Sequence, residues 1–155
     1  MGDLSRSFSR FEFVCKCGCN TEFRVDSKLI SILQKIRDAA GPILVTSGCR
    51  CRRRNDNTPG AAKNSWHVPR KGVLHAADIV ILDPRRRDDD SSLGMWLIAD
   101  MADASGIGIY EGGRVHVDTR PVTIFKGSDR ARWASPEFEH WTNFTAAGKG
   151  GLHGG

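Results

Sequence analysis

The sequence predicts an α+β fold, a small and mainly antiparallel sheet with helices packed on it. Three observations predict it. Residues 26–40 and 92–105 carry apolar side chains at helical spacing. Short β-type runs separate and follow these stretches. Two of the runs flank Glu111-Gly112-Gly113-Arg114, a sequence of hairpin-turn type.

Each element has its own justification. Asp26 is a good N-cap for the first helix, and Gly41-Pro42 stops it. Leu29, Ile32, Leu33 and Ile36 follow the spacing of one buried face. Ile43-Leu44-Val45-Thr46 reads as a strand, and so does Asp78-Ile79-Val80-Ile81-Leu82, ended by Asp83-Pro84. The second helix is expected from about Ser92 to Ser105, with Leu93, Trp96, Leu97 and Met101 as its apolar stripe and Gly106 as its end. Ile107-Gly108-Ile109-Tyr110 and Val115-His116-Val117-Asp118 form the hairpin. Residues 1–145 are expected to make one domain, and the Gly-rich residues 146–155 a flexible tail.

Composition narrows the class. A chain of 155 residues with 39% apolar and 26% charged residues can bury one sizeable core, which argues against wholesale disorder. No apolar run is long enough to span a bilayer. The opening MGDLSRSFSRFEF has no basic-then-apolar signal segment, so synthesis and folding in a cytoplasm are expected. The net charge of +5 favours polyanionic partners such as nucleic acid, anionic membrane or acidic cell-wall polymer. Arg50, Arg52, Arg53 and Arg54 concentrate part of it. Arg85, Arg86 and Arg87 are cancelled by Asp88, Asp89 and Asp90, a block that reads as a solvated loop.

The five cysteines fall in two clusters, Cys15, Cys17 and Cys19, then Cys49 and Cys51. An odd number cannot all pair within the chain, and a cytoplasmic origin argues against a disulfide framework. A structural zinc, a disulfide and a set of reduced thiols all remain open here.

Three short stretches place polar groups inside or beside apolar strands: Asn64-Ser65-Trp66-His67, His75-Ala76-Ala77-Asp78 and Val115-His116-Val117-Asp118. A carboxylate at the mouth of an apolar strand is costly unless paired or bound to metal. His116 and Asp118, two apart in a strand, share a face. Two imidazoles and a carboxylate, with a fourth position left to water, make a zinc site suited to hydrolysis.

These residues resemble the M15 family of zinc D-Ala-D-Ala carboxypeptidases and related peptidoglycan peptidases, close to its short phage-type members. The family's S-x-H, A-x-D and H-x-D elements stand as Ser65-Trp66-His67, Ala76-Ala77-Asp78 and His116-Val117-Asp118. An upstream S-G-x-R stands as Ser47-Gly48-Cys49-Arg50, followed by Asn55. The opening from Phe8 to Cys19 and Gly106-Ile107-Gly108-Ile109-Tyr110 fit the same pattern, so the resemblance covers roughly residues 8–120. It implies a fold like that of hedgehog and D-Ala-D-Ala peptidases, one catalytic zinc on His67, Asp78 and His116, and Arg50 facing the substrate. It further implies hydrolysis of a peptidoglycan amide bond by zinc-bound hydroxide. A monomer is expected; the lack of a signal segment and of a recognisable second wall-binding domain favours a small phage-type lysin acting on the wall after release, with a tail-associated wall opener and a host remodelling enzyme as the alternatives.

Two departures from the pattern matter. Val68 to Leu74 carries an insertion, Pro69-Arg70-Lys71-Gly72, which lengthens the interval before Asp78 and makes His75 a rival ligand to the favoured His67. Several M15 subgroups carry an acidic residue or histidine three before the last ligand, where this chain has Gly113. Asp118 and Glu111 are then the candidates for the proton acceptor, with Asp118 equally able to hold the His116 ring. The lesser reading of Arg50 is one member of a basic loop. Two rival functions follow: a metal-binding domain that only docks on wall peptide, and a basic zinc module for nucleic acid, against which the lack of finger spacing and interleaved aromatics counts. A terminal D-Ala bond, a D,D crosslink and an L-Ala-D-Glu bond all fit as substrate.

Overall fold

The computed structural model describes residues 2–121 and 131–134. The expected tail at 146–155 lies outside the described residues. The chain opens with a 3-10 turn, Arg10–Phe13, and then forms β1 (Arg24–Val25), α1 (Ser27–Ala40), β2 (Ile43–Ser47), α2 (Arg52–Asp56), β3 (Val73–Leu74) and β4 (Ala76–Ile81). A second 3-10 turn, Pro84–Arg86, leads to α3 (Asp89–Met101), β5 (Gly106–Tyr110), β6 (Arg114–Asp118) and β7 (Ala131–Ala134).

The main sheet has the order β2-β4-β6-β5-β7. Its pairs are antiparallel except β5–β7, which is parallel. β1 and β3 form a separate small parallel pair. This is the expected α+β architecture. Period-two alternation gives the sheet two faces. Ala77, Ile79 and Ile81 of β4, Val115 and Val117 of β6, and Ile107 and Ile109 of β5 belong to the apolar core. Asp78, His116 and Asp118 point to the opposite face.

α1 forms because its ends and its stripe agree. The Asp26 carboxylate accepts from the Lys28 N–H at 2.7 Å, satisfying one orphan donor of the first turn. Leu29, Ile32, Leu33 and Ile36 are nearly sealed from solvent. Each stabilises the fold by about 1.5–3 kcal/mol relative to exposure. Gly41 caps the C-terminus as expected.

α3 departs from expectation. It begins at Asp89, not near Ser92, and ends at Met101. The Asp88 carboxylate accepts from the Ser91 N–H at 2.8 Å, so the acidic block caps a helix instead of forming a solvated loop. Asp89 and Asp90 sit in the first turn, where the helix dipole favours negative charge. The buried stripe is Ser92, Met95, Trp96 and Ala99, while Leu97 is 48% and Met101 87% exposed. The small side chains of Ser92 and Ala99 belong to the face that meets the core, rotating the stripe away from Leu97 and Met101. β4 likewise begins earlier than expected, at Ala76, because it pairs with β6 from Asp118 backward. No helix among the described residues is long and apolar enough to cross a membrane.

Candidate metal centre

The register of two strands builds the centre. Asp78 on β4 lies directly opposite His116 on β6, and Ala76 lies opposite Asp118. The third member, His67, arrives from the loop after α2. Its ring is held by a hydrogen bond between Nδ1 and the Gly48 carbonyl at 2.7 Å. Gly48 follows a bulge in β2, where the pairing shifts between Val45 and Ser47 opposite Ile79 and Asp78. The bulge turns Ser47-Gly48-Cys49-Arg50 across the mouth of the sheet. A Cβ on Gly48 would fall 2.6 Å from the Phe13 Cα, so only glycine lets the opening segment pack there.

Three donor atoms converge. His67 Nε2 lies 3.2 Å from His116 Nδ1 and 3.2 Å from Asp78 Oδ1, and His116 Nδ1 lies 2.8 Å from the same Asp78 oxygen. Their chemistry fits a cation. A carbonyl only accepts, so His67 carries its proton on Nδ1 and presents a lone pair at Nε2. Burial holds the His67 pKa below its ordinary value despite Asp78, which keeps that ring neutral. His116 donates from Nε2 to Asp118 Oδ2 at 3.0 Å, so its inward-facing atom is again Nδ1. A single proton can bridge His116 and Asp78 but leaves the His67 lone pair facing acceptors. A divalent ion satisfies all three donors at once.

The electrostatics agree. Burial opposes ionisation of Asp78, but His116 and His67 outweigh it and hold the carboxyl well below its ordinary range. Burial also depresses His116, yet Asp118 and Asp78 outweigh it and raise its pKa. Arg50 adds a hydrogen bond from Nη2 to Asp78 Oδ2 at 3.2 Å and another from Nε to the Ser47 hydroxyl at 3.3 Å. Its backbone N–H bonds the His67 carbonyl at 2.8 Å.

The sequence candidates sort plainly. His67, Asp78 and His116 come together, each with a ligand atom near the other two. His75 stands apart from that group, its Nδ1 2.9 Å from Asp26 Oδ2 and 3.2 Å from the Thr119 hydroxyl. Asp118 is fully buried behind His116 and also binds the Arg120 guanidinium. Glu111 lies in the exposed turn after Tyr110.

A cavity of about 410 Å³ opens over the donors, with Arg50, Arg114, Arg120, Trp66, Tyr110 and Trp133 among its lining residues. Sequence reading missed four of these: Tyr110, Arg114, Arg120 and Trp133. Trp133 packs on the His116 ring with centroids 5.1 Å apart and donates from Nε1 to the Tyr110 hydroxyl at 2.7 Å. Gly108, opposite His116 on β5, leaves room for it. The glycine in Gly106-Ile107-Gly108 was the available signal for a large side chain crossing the strand. The spacing of Arg120 two beyond Asp118 was the signal for their ion pair.

No curated protein and no solved structure matches the chain. A family model described as Peptidase M15 matches residues 6–118, a span that takes in the opening segment, Arg50 and all three donors. Matched over most of its length, the chain belongs to the Peptidase M15 family.

Proposed function

We propose that the chain is a zinc-dependent peptidase of peptidoglycan, cleaving an amide bond in stem peptides or crosslinks. The observation that carries this reading is the convergence of His67 Nε2, His116 Nδ1 and Asp78 Oδ1 on the floor of an open cavity. His67, Asp78 and His116 would hold the zinc, which when bound would supply an activated water and Lewis-acid polarisation of the scissile carbonyl.

The chain's own residues do the rest. Asp118 accepts the outer N–H of His116, fixing that ring with its inner nitrogen toward the floor; it is a positioning residue. Gly48 does the same for His67 through its carbonyl. Arg50 presents a planar cation beside Asp78, suited to a terminal carboxylate or to negative charge growing on the carbonyl oxygen. Arg114 and Arg120 extend the positive lining, which suits a substrate rich in carboxylates. Asp118 serves to hold His116 and Arg120, and Glu111, in the turn that follows the cavity-lining Tyr110, is the candidate proton acceptor that this reading puts to the test.

The test is mass spectrometry of purified muropeptides after incubation with the protein. Loss of a terminal residue or splitting of a crosslink is expected, abolished by chelator and restored by zinc. His116→Ala should be inactive, and Glu111→Gln should turn over about 10²–10⁴ more slowly. Full turnover by Glu111→Gln would remove that residue from the mechanism. One observation favours a second reading, a family member that binds wall peptide without cutting it: among the described residues Asp78 is the only carboxylate lining the cavity. Retention of muropeptides with no change of mass, in zinc, would select it.

A further inference from the structure

We propose that Cys15, Cys17, Cys19 and Cys51 hold a second metal ion, a structural zinc that staples the opening segment to the loop carrying Arg50. The four sulfurs all lie within 4.8 Å of one another. Cys15 Sγ and Cys17 Sγ are 3.3 Å apart, and Cys17 Sγ and Cys51 Sγ are 3.6 Å apart. A tetrahedron with zinc–sulfur bonds of about 2.3 Å has edges of about 3.8 Å, so the observed spacings suit a closed four-thiolate site.

The surroundings suit thiolates. The Cys51 N–H donates to Cys15 Sγ at 3.4 Å, and the Arg54 N–H donates to Cys51 Sγ at 3.4 Å. Four thiolates around a divalent ion leave a net negative charge, and Lys16, Arg52, Arg53 and Arg54 adjoin the ligands in sequence. The fifth cysteine is set apart: Cys49 is buried in the core and does not belong to the group of four. The odd count thus divides into four ligands and one inert core thiol.

The fold also needs a tie at this place. Residues 14–23 form neither helix nor strand, so no backbone ladder holds them. Yet Phe13 must stay against Gly48, whose carbonyl orients His67. Cys51 directly follows Arg50. A bond network from Cys15, Cys17 and Cys19 to Cys51 anchors both sides of that contact.

The site shares no residue with the His67–Asp78–His116 centre, so the two are separable. The experiment measures zinc per chain in reduced, desalted full-length protein, and the absorption spectrum after cobalt substitution. Two zinc ions per chain are expected, falling to one in Cys17→Ser/Cys19→Ser and to one in His116→Ala. Cobalt-loaded wild type and His116→Ala should both show sulfur-to-cobalt charge-transfer absorption in the near ultraviolet, and the cysteine variant should lack it. If the cysteine variant does not fold, the spectra and stoichiometry of the other two proteins decide. One zinc that His116→Ala removes completely, with no charge-transfer band, would overturn the proposal. So would intact-mass evidence that these cysteines are joined in disulfides in the purified native protein. One zinc that His116→Ala retains, with the band present, would support the thiolate site and remove the His-Asp-His centre instead.

Discussion

Gly108→Ala is a sharp test of how the aromatic wall of the centre is built. An ideal Cβ at position 108 lies 2.3 Å from Trp133 Nε1, 2.4 Å from Cε2 and 2.9 Å from Cζ2. Ordinary contact begins near 3.4 Å, so the indole must retreat by about 1 Å. That retreat separates it from the His116 ring and breaks the 2.7 Å hydrogen bond to Tyr110. Overpacking of this kind costs about 1–3 kcal/mol, and the lost hydrogen bond about 1 more. For a chain of this size the sum of about 2–4 kcal/mol lowers Tm by roughly 4–16 °C. The assay is thermal denaturation of four proteins: wild type, Gly108→Ala, Trp133→Ala and the double variant. With the indole gone, the added methyl meets empty space, and its effect should vanish or turn slightly stabilising. An equal loss of Tm in both backgrounds, or none in either, would refute the claim that Gly108 exists to admit Trp133.

The further predictions concern the centre and the basic run that enters α2. Asp118→Asn removes the charge that holds His116 and Arg120, and should weaken metal binding about 10–100-fold in a competition titration while leaving the stoichiometry unchanged. Arg50→Ala should slow hydrolysis of a small soluble peptide by about 10²–10³, the scale of a lost oxyanion donor, and Arg50→Lys should recover only part of it. Alanine at Arg52, Arg53 or Arg54, which the structure places in α2 instead of the expected loop, should leave the small peptide unaffected and lower activity on whole walls only at low salt; equal effects of all four on the small peptide would make Arg50 one more member of that basic run.

Local signals carried much of the fold and of the centre. α1 was legible because cap, stripe and stop all lie within one short window. The His116–Asp118 pair was legible because two-residue spacing in a strand fixes a shared face. What escaped depended on partners far along the chain. The cap at Asp88 was hidden inside a block whose charges cancel, so the helix start was read late and the stripe misaligned. Trp133 reaches His116 through a parallel pairing of β7 with β5, which no local pattern announces. The gathering of Cys51 with Cys15, Cys17 and Cys19 likewise depends on a distant contact, the hydrogen bond from the Cys49 N–H to the Phe13 carbonyl at 2.7 Å. The choice between His67 and His75 turns on the Gly48 carbonyl and on Asp26, both far from either histidine in sequence.

The pairing of Asp78 with His116 across β4 and β6 makes the centre a gauge of strand alignment. A slip of one residue between these strands would move one of the two side chains to the helix-packed face and leave no shared pocket for an ion. Capture of metal by a refolding chain therefore cannot precede correct alignment of the two central strands. In the Cys17→Ser/Cys19→Ser variant, where the thiolate cluster is removed, a cobalt signal that grows during refolding would time that alignment directly.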